Sequence, residues 1–98
     1  MTEKTYTLSV IFEAKPGKEK VLSDLLTSLI APTRLEPGCL TYRLHRSQNN
    51  PGQFLFYEVW VNKDAHAAHG SMPHMATWHA HKSELVSSLV KSDWDEIE

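Results

Sequence analysis

Residues 54–61, FLFYEVWV, constrain this chain more than any other segment, because they read as a strand that is apolar on both faces. Phe54, Phe56 and Trp60 share one side with Glu58, while Leu55, Tyr57, Val59 and Val61 line the other. A strand of this kind needs cover on two sides. Helices can supply one cover. The second points to another sheet, and a dimer whose sheets face one another provides it. The alternative is a monomer with an exposed aromatic patch. At 98 residues the chain is expected to form a single domain, residues 1–98, whose modest core gains from such a partner.

The remaining pattern fills in a sheet and its helices. Tyr6, Leu8, Val10 and Phe12 alternate with polar residues, predicting a strand over 5–14. After the Pro16-Gly17 turn, Val21, Leu22, Leu25, Leu26, Leu29 and Ile30 form a helical stripe, with Pro32 expected to end it and 33–38 to serve as a linker. Strands over 39–46 and 54–61 flank an Asn-Asn-Pro-Gly hairpin loop. A short helix is expected over 64–69, with Asp64 able to cap it or favour its first turn, and a longer one over 72–90. A short fourth strand is placed around 94–97. The order strand, helix, strand, strand, helix, strand is that of an α+β, ferredoxin-like antiparallel sheet with helices on one face.

Charge narrows the function classes. Ten Lys and Arg scattered against twelve Asp and Glu leave a net charge of −2 and no basic stripe, so no nucleic-acid partner is expected. No stretch approaches a membrane helix in length, and the polar start followed by alternation argues against a signal peptide. The single cysteine, Cys39, fits a reducing compartment, so a cytoplasmic location with no membrane partner is expected.

Five of the six histidines lie between positions 66 and 81. His66 and His69 could share a metal, yet there is no HExxH pattern and the spacing offers one plausible pair only, so no metal is expected. His66 and His81 read as surface residues. His69 and His74 bracket the Gly70-Ser71 turn between two helices, where an imidazole can take a proton from a phenol or enediol. Capping of the helix end is the competing role for His69. Tyr57, Trp60 and Trp78 are expected to hold a ring-shaped ligand, with His79 nearby. Glu58, among aromatic residues, needs a partner or must hold its proton; it could act as a base in a pocket, but pairing with Arg43 or Arg46 on the neighbouring strand is the expected role. No serine or cysteine nucleophile signature and no glycine-rich cofactor fingerprint is present.

Three spaced motifs together carry a resemblance: Glu36-Pro-Gly-Cys-Leu-x-Tyr at 36–42, Phe54-x-x-Tyr-Glu-x-Trp at 54–60 with Ala65, and His69-x-x-x-Pro-His at 69–74. In these, and over nearly its whole length, the chain resembles the antibiotic biosynthesis monooxygenase, or quinol monooxygenase-like, family. The resemblance implies a homodimeric α+β barrel and oxidation of a small quinol or phenol by O₂ without a cofactor. His69, with His74 as helper or alternative, would accept the proton. The pattern is also similar to an autoinducer-2-degrading enzyme, implying instead an isomerase for a small phosphorylated carbonyl metabolite. In that case Lys18, Arg34 or Arg43 would stand at the pocket mouth to hold the phosphate. A non-catalytic dimer binding a small ligand under stress is the third possibility. In haem-degrading relatives the catalytic tryptophan would fall at His69, the haem ligand at His79 and the catalytic asparagine near Val10. Two of those three positions differ, which disfavours haem cleavage.

Overall fold

A computed structural model describes residues 4–98; residues 1–3, the first of the expected domain, lie outside the described residues. The elements are β1 (Tyr6–Ala14), α1 (Glu19–Ser28), α2 (Ile30–Arg34), β2 (Cys39–Arg46), β3 (Gln53–Trp60), α3 (Lys63–His69), a 3₁₀ turn (Pro73–Met75), α4 (Ala76–Leu85) and β4 (Val86–Trp94). The strands form one sheet in the order β2-β3-β1-β4, with every neighbouring pair antiparallel. This is the split arrangement in which β3 inserts between β1 and β2. Among the described residues no helix is long and apolar enough to cross a membrane.

Alternation decides which face is covered. Tyr6, Leu8, Val10 and Phe12 of β1 and Phe54, Phe56 and Trp60 of β3 are buried beneath the helices. Leu22, Leu26 and Leu29, spaced along one side of the α1 stretch, close over them. Among the described residues nothing covers the opposite face: Tyr57, Val90 and Trp94 are 41%, 54% and 57% exposed on it. The Trp94 indole is steadied there by donating to Ser9 Oγ at 2.8 Å.

Three boundaries differ from expectation, each for a local reason. The helical stretch does not stop at Pro32, which lies within the first turn of α2, where its missing N–H has no intrahelical acceptor to lose. The cap of α3 is Asn62, whose side chain accepts from Ala65 N at 2.8 Å, with Asp64 inside the first turn. The last helix ends at Leu85 rather than near 90, and β4 runs from Val86 to Trp94 rather than around 94–97. Val86, Leu89 and Val90 have helical spacing, but the open edge of β1 pairs with them from Ala14↔Val86 to Thr7↔Trp94. Tertiary pairing overrides the local period.

Candidate active site

Between the covered sheet face and the helices lies a cavity of about 250 Å³. Val10, Phe12, Tyr42, Phe56 and Glu58 form its floor, and Leu26, Leu29, Met75 and Trp78 form apolar walls. His66, His69 and His79 also line it. The placement follows from α3 beginning directly after β3: residues three apart on this helix, His66 and His69, fall on the side facing the sheet. The turn through Gly70 and the 3₁₀ segment then bring His74 back toward the loop after α2.

That loop carries Glu36, which organises the site. Glu36 is 7% exposed, and its backbone is fixed by N–H donation to the Thr33 carbonyl and by accepting from Cys39 N. Its Oε2 lies 2.6 Å from His69 Nδ1 and 2.9 Å from His74 Nε2. Thr33 Oγ1 stands 3.2 Å from the same His74 nitrogen. A carboxylate accepts, so His69 carries its proton on Nδ1, and Nε2 is left with its lone pair. Among the described residues Nε2 makes no hydrogen bond, and His69 borders the cavity. Burial lowers the His69 pKa below the ordinary histidine value, while the bond and charge of Glu36 pull the other way. The ring is therefore largely neutral near pH 7, with Nε2 left to accept and the residue bordering a mostly apolar cavity.

Glu36, His69 and His74 are also the set among the described residues whose ligand atoms gather within 4.8 Å. The 2.6 Å between Glu36 and His69 is the length of a proton-bridged contact. Two ligands on a tetrahedral ion with bonds of roughly 2.0–2.1 Å stand about 3.3 Å apart. As folded, the Glu36–His69 contact has the spacing of a hydrogen bond.

The other expected residues divide. Trp78 is buried, lines the cavity and meets Phe12 edge-on at 5.3 Å. His79 sits exposed at the rim, with Nε2 donating to the Gly70 carbonyl at 2.8 Å. Trp60 is wholly buried behind His69, ring centroids 4.9 Å apart, and presents no surface to the cavity. It backs the histidine instead of stacking on a ligand. Tyr57 is on the opposite face of the sheet, because β3 alternates and Tyr57 follows Phe56, so it has no part in the cavity.

Glu58 and His66 also depart from expectation. Arg43 pairs with Tyr57 in the strand register and so belongs to the uncovered face, and Arg46 donates to Ser23 Oγ. Glu58 accepts instead from Trp60 Nε1 at 2.9 Å. His66 is half-buried, edge-on to Tyr6 and Trp60, with Nε2 3.9 Å from Glu58 Oε1. Burial, with Lys91 and His69 adding to it, lowers the His66 pKa to about 4, so the ring is neutral near pH 7 and the contact is not an ion pair. Glu36 itself drew no expectation of a role. Its signal was its place at the head of the Glu-Pro-Gly-Cys-Leu-x-Tyr motif, where an acid before a Pro-Gly turn ordinarily marks a solvated loop.

A family model described as antibiotic biosynthesis monooxygenase matches residues 5–81. Rv0793 of Mycobacterium tuberculosis, whose name assigns it provisionally as a monooxygenase, is 32% identical over 79 residues, covering 81% of this chain and 77% of its own length. Its structure superposes with a TM-score of 0.89, covering 97% of each chain. A Synechocystis protein of unassigned function, sll1783, is 36% identical over 62 residues, which are 63% of this chain but 42% of that one. The chain thus spans less than half of that relative. The crystal structure of PA3566 from Pseudomonas aeruginosa is 26% identical, covers 100% of this chain and 99% of its own, and gives a TM-score of 0.95.

Proposed function

The chain belongs to the antibiotic biosynthesis monooxygenase family, and from that premise we propose that it is a cofactor-independent monooxygenase oxidising a small quinol or phenol with O₂. The observation that carries this is the buried Glu36–His69 pair on the border of a mostly apolar cavity, which leaves the imidazole Nε2 without a hydrogen-bond partner among the described residues. Glu36 holds the tautomer and steadies the imidazolium that forms, as a carboxylate does behind a general base. His74, on the other side of the same oxygen, positions Glu36.

His69 Nε2 takes the proton of a substrate hydroxyl. The anion gives one electron to O₂, and the radical pair recombines at a ring carbon as a peroxide anion, which takes the proton back from His69. Loss of the ring hydrogen with cleavage of the O–O bond leaves a carbonyl and releases water. Hydroquinone plus O₂ thus becomes hydroxyquinone plus water, and the substrate supplies all four electrons. The protein contributes position, a proton acceptor and an apolar enclosure, with Trp78 as the ring-holding wall.

Among the described residues lining the cavity there is no lysine or arginine, which favours a neutral ring over a phosphorylated metabolite. Of the cations expected for the latter, Arg34 donates to the Tyr42 carbonyl. The uncovered sheet face, with Ile11, Leu55, Val59 and Val90 around Tyr57 and Trp94, suits a second copy of the chain packed sheet to sheet. A small aromatic metabolite and a second copy are the partners proposed, in the cytoplasm.

Oxygen uptake by metal-stripped protein over a panel of hydroquinones and catechols tests the proposal beside His69→Ala. Uptake above autoxidation, lost about 100-fold or more in the variant, is the expected result. No stimulation by the wild-type protein across the panel would remove the oxygenase assignment.

A further inference from the structure

Glu58 stands on the floor of the cavity with no cation committed to it. It is 4% exposed, and its cross-strand neighbours are Leu8 on β1 and Tyr42 on β2. Trp60 Nε1 holds Oε1 at 2.9 Å, which fixes the carboxyl plane. From α3 the nearest group is His66, and the charged or titratable groups acting from further off are Lys91 on β4 and Glu36. Among the described residues Oε2 has no hydrogen-bond partner, yet it is not sealed from solvent. Glu58 itself is one of the residues that line the cavity.

We propose that Glu58 is the proton donor of this site: its carboxylic acid bonds a substrate oxygen and protonates the hydroxide released when the peroxide O–O bond breaks. This rests on the oxygenase assignment above. At the hydroperoxide, His69 takes the ring hydrogen as a proton, and the C–H electron pair forms the new C=O. The O–O pair leaves with the distal oxygen, which takes the Glu58 proton and departs as water. Carbon is oxidised and oxygen reduced, and the His69 proton returns through solvent to the Glu58 carboxylate. The division of labour is physical: one carboxylate faces two N–H donors and serves as an anion, while the other faces indole and apolar rings and can keep its proton. Burial raises the Glu58 carboxyl to about 7, with the Trp60 bond and Lys91 opposing.

The test is Glu58→Gln, whose amide keeps the bond from Trp60 and a donor toward the substrate but has no proton to give. In an active wild-type background, kcat is expected to fall about 100-fold or more with KM little changed. In parallel, carbon-13 spectra of protein labelled at the glutamate carboxyls should show one resonance titrating near neutrality. It should vanish in Glu58→Gln and shift when hydroquinone is added without oxygen. Retention of kcat in Glu58→Gln while His69→Ala is inactive overturns the inference alone, as does a Glu58 resonance that titrates in the ordinary range or ignores hydroquinone. A hydroquinone-responsive acid in a protein that consumes no oxygen supports the cavity donor and removes the oxygenase instead.

Discussion

The carboxylate of Glu36 meets Nδ1 of His69 at 2.6 Å, with both side chains buried and the two residues 33 positions apart in the chain. Glu36→Gln replaces an obligate acceptor with a group that can also donate, so the ring can turn its proton toward the cavity. Turnover is expected to fall by roughly 10²–10⁴-fold with little change in KM. Steady-state oxygen uptake reads this, and a variant as active as wild type would mean that Glu36 serves packing only.

The rate should depend on pH through two groups. His69 must be neutral to accept, and burial places its pKa below 6.5, so kcat/KM rises with pH on an acid limb lying below that value. Glu58 must be protonated to donate, so the rate declines again as pH passes about 7. The two limbs are apparent values of a coupled site. In Glu58→Gln the residual rate should keep the acid limb and lose the alkaline one.

Stability should shift in a defined direction. The Glu58 carboxyl is raised from 4.5 to about 7, so the folded state binds more protons than the unfolded chain in that interval. Its contribution is full below the unfolded value and lost as pH rises through the folded one. His66 and His69, both lowered, act oppositely and cost stability as pH falls below about 6.5. Subtracting Glu58→Gln from wild type isolates the carboxyl. The variant should gain on wild type by up to about 3 kcal/mol between pH 4.5 and pH 8, measured by urea unfolding. A constant difference across that range would mean the acid is not perturbed.

The sheet-to-sheet dimer predicts that Tyr57→Asp with Val90→Asp yields a monomer. Each change sets a charge in the middle of a face expected to be dry, at a cost of several kcal/mol. Sedimentation velocity should show wild-type dimer and variant monomer at micromolar concentration. A dimeric variant would place the interface elsewhere.

Gly38 gives a packing test away from the chemistry. A Cβ there would collide with the Cβ of Ala65, and neither methyl can swing aside. The Gly38 carbonyl also accepts from Val61 N at 2.9 Å, which ties the residue before β2 to the residue after β3. Gly38→Ala is expected to cost about 1–3 kcal/mol in thermal unfolding. Adding Ala65→Gly should recover most of it.

The first three strands were legible, β1 from its clean alternation, and the face assignment of Phe56 and Trp60 followed from parity alone. The same parity sends Tyr57 away from the cavity, and assigning it to a ligand overlooked that rule. The end of α4 was hidden because Val86, Leu89 and Val90 suit either period, and only the free edge of β1 settles the choice. His69 could be singled out from its place beside a turn. Glu36 could not, because its value lies in an encounter between segments that no local pattern records.

The position of β1 has a consequence for how this protein is made. It is bonded to β3 on one side and to β4 on the other, and β4 also supplies Leu89 to the cavity rim. While the ribosome is still working, β1, β2 and β3 can pair, but the far edge of β1 stays open until residues 86–94 emerge. Throughout that interval the nascent chain bears an unpaired strand edge beside unshielded aromatic surface, and the speed of translation through residues 86–94 governs how long a neighbouring chain has to capture it.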